Sequence, residues 1–403
     1  MSLSSLRHGL SALFLIFVLT STASAQLEGR LFLDKDEYLT GEPVYLRFDL
    51  TNTGTTPMQV LSGSSYSFCG GYRIEVSNKP FLDTSTCAPR GYGGSCPGGA
   101  WIIGPGEVRH DKVLLNYEHD LSTPGPYDIR ASRILTYGSP DGFLIPTSGV
   151  QVKAEEQFHI RVEDAGAENL PSIFQPYLAE LNSKDEERQQ EAVRVIGSLA
   201  PPFLEDTILA MVASPATRRS ALIGLRRLNT ARSREALAAI VQGTSGYSYE
   251  KEQGIKYLSE MGDKKYFPLL LDVAKKQEPN QARDYTLAVA QLGGEDAMPY
   301  VSSLLADSSP FSRANGAMAL PQTGSRSAVP LLIELLLSPD MSVGRLASIG
   351  LIHLTHRSPL RSGQWFSDSP SNEYRDWVRW WMLESDRATI YGPNQCGKID
   401  PLK

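Results

Sequence analysis

The stretch "AVPLLIELLLSPDMSVGRLASIGLIHL", Ala328 to Leu354, contains two apolar segments separated by the short turn "SPD". Its proline belongs to a series, because Pro268, Pro299 and Pro330 lie 31 residues apart and each precedes an apolar-rich segment. Proline in the first turn of a helix occupies a position whose backbone amide would have no partner, so each proline indicates a helix start. The sequence therefore predicts a repeated helical unit.

Two columns of apolar residues recur with nearly the same spacing and extend the repeat toward the N-terminus. The first column, at spacings of 29, 33, 31, 31 and 31, consists of Ile196, Leu225, Leu258, Val289, Leu320 and Leu351. The second column, three residues later each time, consists of Leu199, Leu228, Met261, Leu292, Thr323 and Leu354. Residues three apart share a helix face. We therefore predict an all-α solenoid over residues 169–356, in which about six helical hairpins each bury their apolar face against the next.

The segment from Ala328 to Leu354 resembles the short bacterial HEAT-like repeat, in which a proline opens the first helix and an acidic turn precedes the second. The resemblance is strongest in the last three repeats and covers about half of the chain. Relatives of this repeat occur in phycobilisome lyases. The resemblance implies a protein-binding solenoid, and by analogy it leaves a lyase-type enzyme as an alternative.

Residues 26–163 have an apolar period of two. In "EPVYLRFDLTNTG" the residues Val44, Leu46, Phe48 and Leu50 alternate with polar or outward positions, and glycine and proline mark turns at short intervals. This pattern is typical of short strands in an antiparallel β-sandwich. The chain is thus predicted to be multidomain, with a β-sandwich before the solenoid.

The segments "YLTGEPVYLRFDLTNTG", "IIGPGE" and "PGPYDIRA" resemble the immunoglobulin-like sandwich of bacterial exported proteins, close in style to the intracellular proteinase inhibitor family. The resemblance implies that Tyr127 ties down a corner of the sandwich. It also leaves a protease-inhibitor-like binding module as an alternative function, with the loop from Cys87 to Gly99 as the contact.

Residues 1–25 are predicted to be a signal peptide. They combine a mildly basic start, the apolar run Leu10 to Leu19 and the small residues Ala23 to Ala25. We therefore expect an exported protein, either periplasmic or secreted, without a transmembrane segment in the mature chain. The formal net charge of −6 and the sequence pI of about 5.6 argue against a nucleic-acid partner.

The four cysteines suit disulfides in an exported chain. If the chain turns around Asn78, Cys69 and Cys87 face each other across a hairpin and could form a disulfide. A local bridge between Cys87 and Cys96 is the rival pairing. Cys396 lies in the C-terminal tail.

An arginine-rich stretch lies in the second repeat, and it contains Arg218, Arg219, Arg226, Arg227, Arg232 and Arg234. The preceding repeat carries the acidic residues Asp185, Glu186, Glu187 and Glu191. Two interpretations remain open. The charges pair between adjacent repeats, or Arg218, Arg219, Arg226 and Arg227 form a patch for an acidic protein partner.

Candidate catalytic and metal-binding residues do not assemble into a motif. His353 and His356 lie at a helix end, where a metal site would need a third ligand. His110, Asp111 and His119 flank a predicted strand, and no nucleophile or phosphate-loop motif is present. We therefore expect no enzyme activity, no cofactor and no bound metal.

The C-terminal region, residues 357–403, is predicted to be a cap helix and tail. In "EYRDWVRWWMLESD", Glu373 to Asp386, the residues Tyr374, Trp377, Val378 and Trp381 share one stripe at 100° per residue. This register predicts that Trp377 and Trp381 are buried anchors of the cap. It leaves Trp380 exposed, as a candidate for contact with a partner. Together these features predict a non-catalytic protein-binding or scaffold protein.

Overall fold

The computed structural model describes residues 26–62, 71–77, 99–140, 150–243, 249–359, 369–393, 395 and 400–402. The first part is rich in strands and the second part is helical. The predicted signal peptide and all four cysteines, Cys69, Cys87, Cys96 and Cys396, lie outside the described residues.

The strands of the first part form two sheets. Their bounds are β1 Leu27–Leu33, β2 Glu37–Leu39, β3 Tyr45–Asn52, β4 Met58–Ser62, β5 Tyr72–Val76, β6 Gly99–Ile103, β7 Val108–Leu114, β8 Gly125–Gly138 and β9 Val150–Glu163. One sheet has the order β1-β3-β7; the other has the order β2-β9-β8-β4-β6, with β5 also paired to β8. The pairs are antiparallel except for β2 with β9, which is a short parallel pair that the antiparallel prediction missed.

The two sheets share one apolar core. As predicted, Val44, Leu46, Phe48 and Leu50 are buried on one face of β3 and the residue preceding it. They pack with side chains of the second sheet such as Ile129. The Tyr127 hydroxyl donates to the Thr123 carbonyl oxygen, four residues earlier in the chain, at 2.6 Å.

A short helix, α1 (Leu115–Glu118), precedes the helical part. The helices that follow are α2 Leu170–Glu180, α3 Glu186–Leu199, α4 Glu205–Met211, α5 Pro215–Leu228, α6 Ala231–Gly243, α7 Tyr249–Met261, α8 Phe267–Lys275, α9 Arg283–Gly293, α10 Met298–Leu305, α11 Pro310–Ala319, α12 Ala328–Leu335, α13 Met341–Thr355 and α14 Pro370–Glu384. From α2 to α13 they contact each other as successive pairs, and the second helix of each pair also contacts the second helix of the next. The result is a solenoid-like stack.

The first predicted column lies in the interior of this stack, whereas Leu199, Leu228 and Met261 of the second column are only partly buried. All six residues of the first column, Ile196, Leu225, Leu258, Val289, Leu320 and Leu351, are 0% exposed. Pro268 and Pro299 are the second residues of α8 and α10, and Pro330 is the third residue of α12. The prolines therefore mark helix starts, as the spacing predicted.

The strand-rich part packs against the first helices. Tyr45 and Leu114 belong to the same apolar cluster as Phe174 of α2, which is fully buried. The Tyr45 hydroxyl donates to the carboxylate of Glu191 in α3, and Lys112 Nζ lies 2.9 Å from the same carboxylate. Tyr45, which the alternation placed outward, is therefore buried by the helical part.

The C-terminal helix α14 covers the last repeat, but the predicted register was wrong. Trp377 is buried as expected, whereas Trp380, predicted to be exposed, is only 7% exposed. The rings of Trp377 and Trp380 meet edge to face at 5.5 Å, and the Ser348 hydroxyl of α13 donates to buried Glu373 at 2.5 Å. Trp381, the other predicted anchor, is only half-buried. The inward face of α14 is therefore formed by Glu373, Trp377 and Trp380.

We expect Trp380→Ala to lower the free energy of unfolding by about 3–5 kcal/mol, because it leaves a cavity against Trp377. Met382→Ala, on the opposite face of the same helix, should change it by less than about 0.5 kcal/mol. Denaturant unfolding followed by circular dichroism measures both values. Equal losses for the two variants would contradict the observed register.

Candidate functional site

The four arginines predicted as a partner-binding patch lie at opposite ends of α5. Arg218 and Arg219 are in its first two turns, whereas Arg226 and Arg227 are in its last turn. The structure therefore does not bring the four side chains together on one surface. Each of them has a partner within the chain.

Arg218 stabilises the turn that precedes α5. Its Nε donates to the Val212 carbonyl oxygen at 2.8 Å. Arg313 plays the same part in a later repeat, where its Nη1 donates to the carbonyl oxygen of Ser308 at 2.7 Å. Arg219 instead places its guanidinium over the ring of Tyr249, at 5.0 Å from the ring centre. The first two arginines therefore lie at the turn between the helices of a repeat.

The other two arginines face the opposite edge of the stack. Arg226 Nε lies 2.6 Å from Glu260 Oε2. Arg227 donates from Nη2 to the carbonyl oxygens of Asn116, at 2.7 Å, and Tyr117, at 2.8 Å. Burial and then the charge of Arg226 lower the pKa of Arg227 to about 10, which leaves it protonated at neutral pH. Arg227 thus joins the strand-rich part to the helical part.

Arginines of this region do form ion pairs between repeats, but their partners are not the acidic residues Asp185, Glu186, Glu187 and Glu191. Arg232 contacts Glu205 and Asp206, and Arg234 contacts Asp263. Glu191, from the predicted stretch, contacts Tyr45 and Lys112 instead. Glu191 therefore serves the contact between the two parts of the chain, whereas Asp185 caps α3 and pairs with Arg188 of the same helix.

An exposed apolar patch lies at the turns between the paired helices of the last two repeats. Phe311, in the first turn of α11, is 59% exposed, and Met341, the first residue of α13, is 69% exposed. Leu337, between α12 and α13, is also exposed. We name Phe311, Leu337 and Met341 the turn-edge patch. These residues were not among those predicted from the sequence to bind a partner.

Local sequence holds the turn-edge patch in place. The Ser309 side chain accepts a hydrogen bond from the Ser312 amide and so caps α11, and Asp340 caps α13 through the Ser342 amide at 2.9 Å. Arg313 Nη2 lies 3.7 Å from Asp340 Oδ2 and connects the two helix starts. These caps fix the first turns, on which Phe311 and Met341 are exposed. Tyr249, the first residue of α7, is also exposed.

The histidine candidates do not form a common site. His353 and His356 lie at the end of α13, where the His356 ring stacks on Tyr391 at 3.6 Å between centres. His110 pairs with Asp49 at 2.6 Å, Asp111 pairs with Arg133 at 2.7 Å, and His119 is buried. Within the described residues, no three His, Cys, Asp or Glu side chains gather into a group that could hold a metal ion.

Comparison with known proteins agrees with the repeats. Residues 267–352 match the model of the HEAT repeats. The match falls on the repeats in which the sequence resemblance is strongest, and it covers a minority of the chain. The chain matches no curated protein. In the part of the chain that the structure describes, no helix has both the length and the apolar character needed to cross a membrane.

Solved structures are similar to parts of the chain. An engineered protein is 16% identical over 45% of this chain and 95% of that one, with a TM-score of 0.26. The complex of CpcE and CpcF of phycocyanin lyase from Nostoc sp. PCC7120 is 16% identical over 51% of this chain and 94% of that one, with a TM-score of 0.32. The alpha-2-macroglobulin of E. coli is 14% identical over 81% of this chain and 25% of that one, with a TM-score of 0.20. All three TM-scores are below 0.5, so nothing about the function of this chain follows from them.

We expect Arg227→Ala to lower the free energy of unfolding by about 1–3 kcal/mol, because it leaves two carbonyl groups without their donor. Arg219→Ala removes an arginine of the same helix that lies over the exposed ring of Tyr249, and it should lower the free energy of unfolding by less than about 1 kcal/mol. Thermal or urea unfolding of the two variants measures the difference. Equal effects would contradict a special role for Arg227 between the two parts.

Burial of His119 gives a prediction about pH. Burial lowers the pKa of His119 to about 4, from an ordinary value of 6.5. Between these two pH values His119 is protonated in the unfolded chain but neutral in the folded chain. The free energy of unfolding therefore falls as the pH is lowered from about 6.5 to about 4. The wild type should lose up to about 3 kcal/mol more over this range than His119→Gln, as measured by urea unfolding at several pH values. His110→Gln, at an exposed histidine, is the matched control and should keep the wild-type slope.

Proposed function

We propose that this chain is a non-catalytic protein-binding or scaffold protein, and that the turn-edge patch is a contact surface for its partner. The observation that carries the proposal is the exposure of Phe311, Leu337 and Met341 on adjacent repeats. Large apolar side chains grouped on a surface are typical of protein-interaction sites. HEAT repeats, which match this region, suggest a scaffold for protein interactions.

The placement of the patch supports this proposal. The two helix starts that carry Phe311 and Met341 are capped and are connected by Arg313 and Asp340. A surface held in this way loses little conformational entropy when a partner binds. A stack of repeats also gives a long surface rather than a deep pocket, which suits a protein or peptide partner more than a small molecule.

We further propose that the strand-rich part is an immunoglobulin-like sandwich that serves as a second contact module. Two sheets around one core and the Tyr127 corner support this interpretation. The apolar run and small residues of residues 1–25 support export to the periplasm or the secreted space. In that setting the cysteines would be able to form disulfides.

The proposal is tested by replacing Phe311 and Met341 together with Ser. Protein captured from an envelope extract of the source cells by the wild type is identified, purified and titrated against both proteins. We expect the double variant to bind this partner at least tenfold more weakly, because it loses two apolar anchors, which corresponds to about 1.4 kcal/mol or more.

The matched control is Met382→Ser together with Leu383→Ser, which replaces two similarly exposed apolar side chains on the outward face of α14. This control should bind the partner as the wild type does. Unfolding curves of both double variants should match that of the wild type. An unchanged affinity of the Phe311 and Met341 variant, or a failure of the wild type to capture any protein, would overturn the proposal.

A further inference from the structure

The methionines of this chain differ sharply in their exposure to solvent. The chain contains eight methionines, and all except Met1 lie in the part that the structure describes. Most of these are buried or half-buried, namely Met58, Met211, Met261, Met298 and Met318. Met341 and Met382 are instead 69% and 78% exposed. A solute in the surrounding water therefore reaches the sulfur atoms of Met341 and Met382 without any opening of the fold.

Met341 is held at the surface by the local structure of its helix. It is the first residue of α13, and the Asp340 side chain caps this helix by accepting a hydrogen bond from the Ser342 amide at 2.9 Å. Phe311 and Leu337, the other residues of the turn-edge patch, are exposed as well. The thioether of Met341 is thus both accessible and part of the surface that we assign to partner binding.

An accessible thioether reacts with peroxides. The sulfur lone pair attacks one oxygen of the peroxide, the O–O bond breaks, and the released hydroxide takes the proton of the new S–OH group and leaves as water. Sulfur is oxidised by two electrons, and the peroxide is reduced by two. The product, methionine sulfoxide, is polar, whereas the thioether is a flexible apolar side chain. Oxidation therefore exchanges an apolar contact group for a hydrogen-bond acceptor.

The fold tolerates this change at Met341. Neither Met341 nor Met382 belongs to the apolar cluster of the helical part, so a sulfoxide at either position leaves the packing of the stack unchanged. The sulfoxide oxygen carries a partial negative charge, which the positive N-terminal end of the α13 dipole favours. Met382 has similar exposure but lies in the last turn of α14, outside the turn-edge patch. It is therefore a natural internal control.

We propose that Met341 is an oxidation site for a peroxide, and that its conversion to the sulfoxide weakens partner binding at the turn-edge patch. This regulation rests on the proposed function and acts on the same surface. The sulfoxide removes one of the three apolar side chains of the patch and adds a polar group that loses water when the partner binds. The periplasm and the secreted space, which we propose for this chain, are oxidising compartments.

Peptide mapping tests the selectivity of oxidation. The wild type, Met341→Leu and Met382→Leu are each treated with hydrogen peroxide, and catalase then removes the oxidant. Leucine keeps the apolar volume but has no sulfur to oxidise. Mass spectrometry of peptides should show that Met341 and Met382 oxidise at least about tenfold faster than Met58 and Met211, because susceptibility follows exposure. Circular dichroism of the treated proteins should match that of the untreated ones.

Titration with the partner that the wild type captures tests the effect on binding. The oxidised wild type and oxidised Met382→Leu should bind about fivefold more weakly than their untreated forms, because both carry the sulfoxide at position 341. Oxidised Met341→Leu, in which Met382 carries the sulfoxide, should keep its untreated affinity. Oxidation of cysteines is common to all three proteins and does not distinguish them.

Two results would overturn this regulation while the proposed function stands. One is a Met341 that oxidises no faster than buried Met211. The other is an oxidised Met382→Leu that binds the partner with unchanged affinity, although the untreated protein binds it. If the untreated wild type captures no protein at all, the proposed function and its regulation fail together.

Discussion

A stack of helical repeats has an open apolar face at each end, and the structure of this chain depends on covering both. At the N-terminal end, Phe174 is enclosed with Tyr45 and Leu114 from the strand-rich part. At the C-terminal end, Trp377 and Trp380 cover the last repeat. An uncovered end face would expose a large apolar surface to water. The strand-rich part is therefore also the N-terminal cap of the helical part.

The N-terminal cap differs from the C-terminal cap in its polar contacts. Burial, followed by the nearby Glu191 carboxylate, raises the pKa of Tyr45, so its hydroxyl stays protonated and donates to Glu191. Lys112 offsets the charge of the same carboxylate, and Arg227 donates to the carbonyl groups of Asn116 and Tyr117. Such hydrogen bonds contribute modestly to net stability, but they have strict geometry. They fix the orientation in which the strand-rich part covers the helices, which apolar packing alone would leave loosely defined.

The sequence predicted the features that follow from a repeating spacing. The column from Ile196 to Leu351 is fully buried because every member occupies the same position in its hairpin. The exposure of Trp380 was predicted wrongly, because helix periodicity shows which residues share a face of one helix but does not show where the neighbouring helices lie. In the structure, the residues of α14 that contact the last repeat are Glu373, Trp377 and Trp380.

Contacts between distant residues were also beyond sequence reasoning. Arg227 and Asn116 are 111 residues apart in the chain, and nothing in the local pattern joins them. The sequence did contain one unused signal for the turn-edge patch. Phe311 and Met341 each follow a helix-capping residue closely, in "SPF" and "PDM", and neither belongs to a buried column. Large apolar residues outside every buried column are the ones that the repeat pattern leaves for the surface.

The requirements of the fold do not account for these exposed residues. Phe311 and Met341 precede the buried parts of their helices, and Met382 and Leu383 lie on the far side of a helix already anchored by two tryptophans. Polar side chains at these four positions would satisfy the same caps and leave the same core. Single exposed apolar residues are common on protein surfaces, but here they are grouped in two places, each on a rigid element. Grouping on rigid elements is what a binding surface requires, and the stack needs neither group for its own packing.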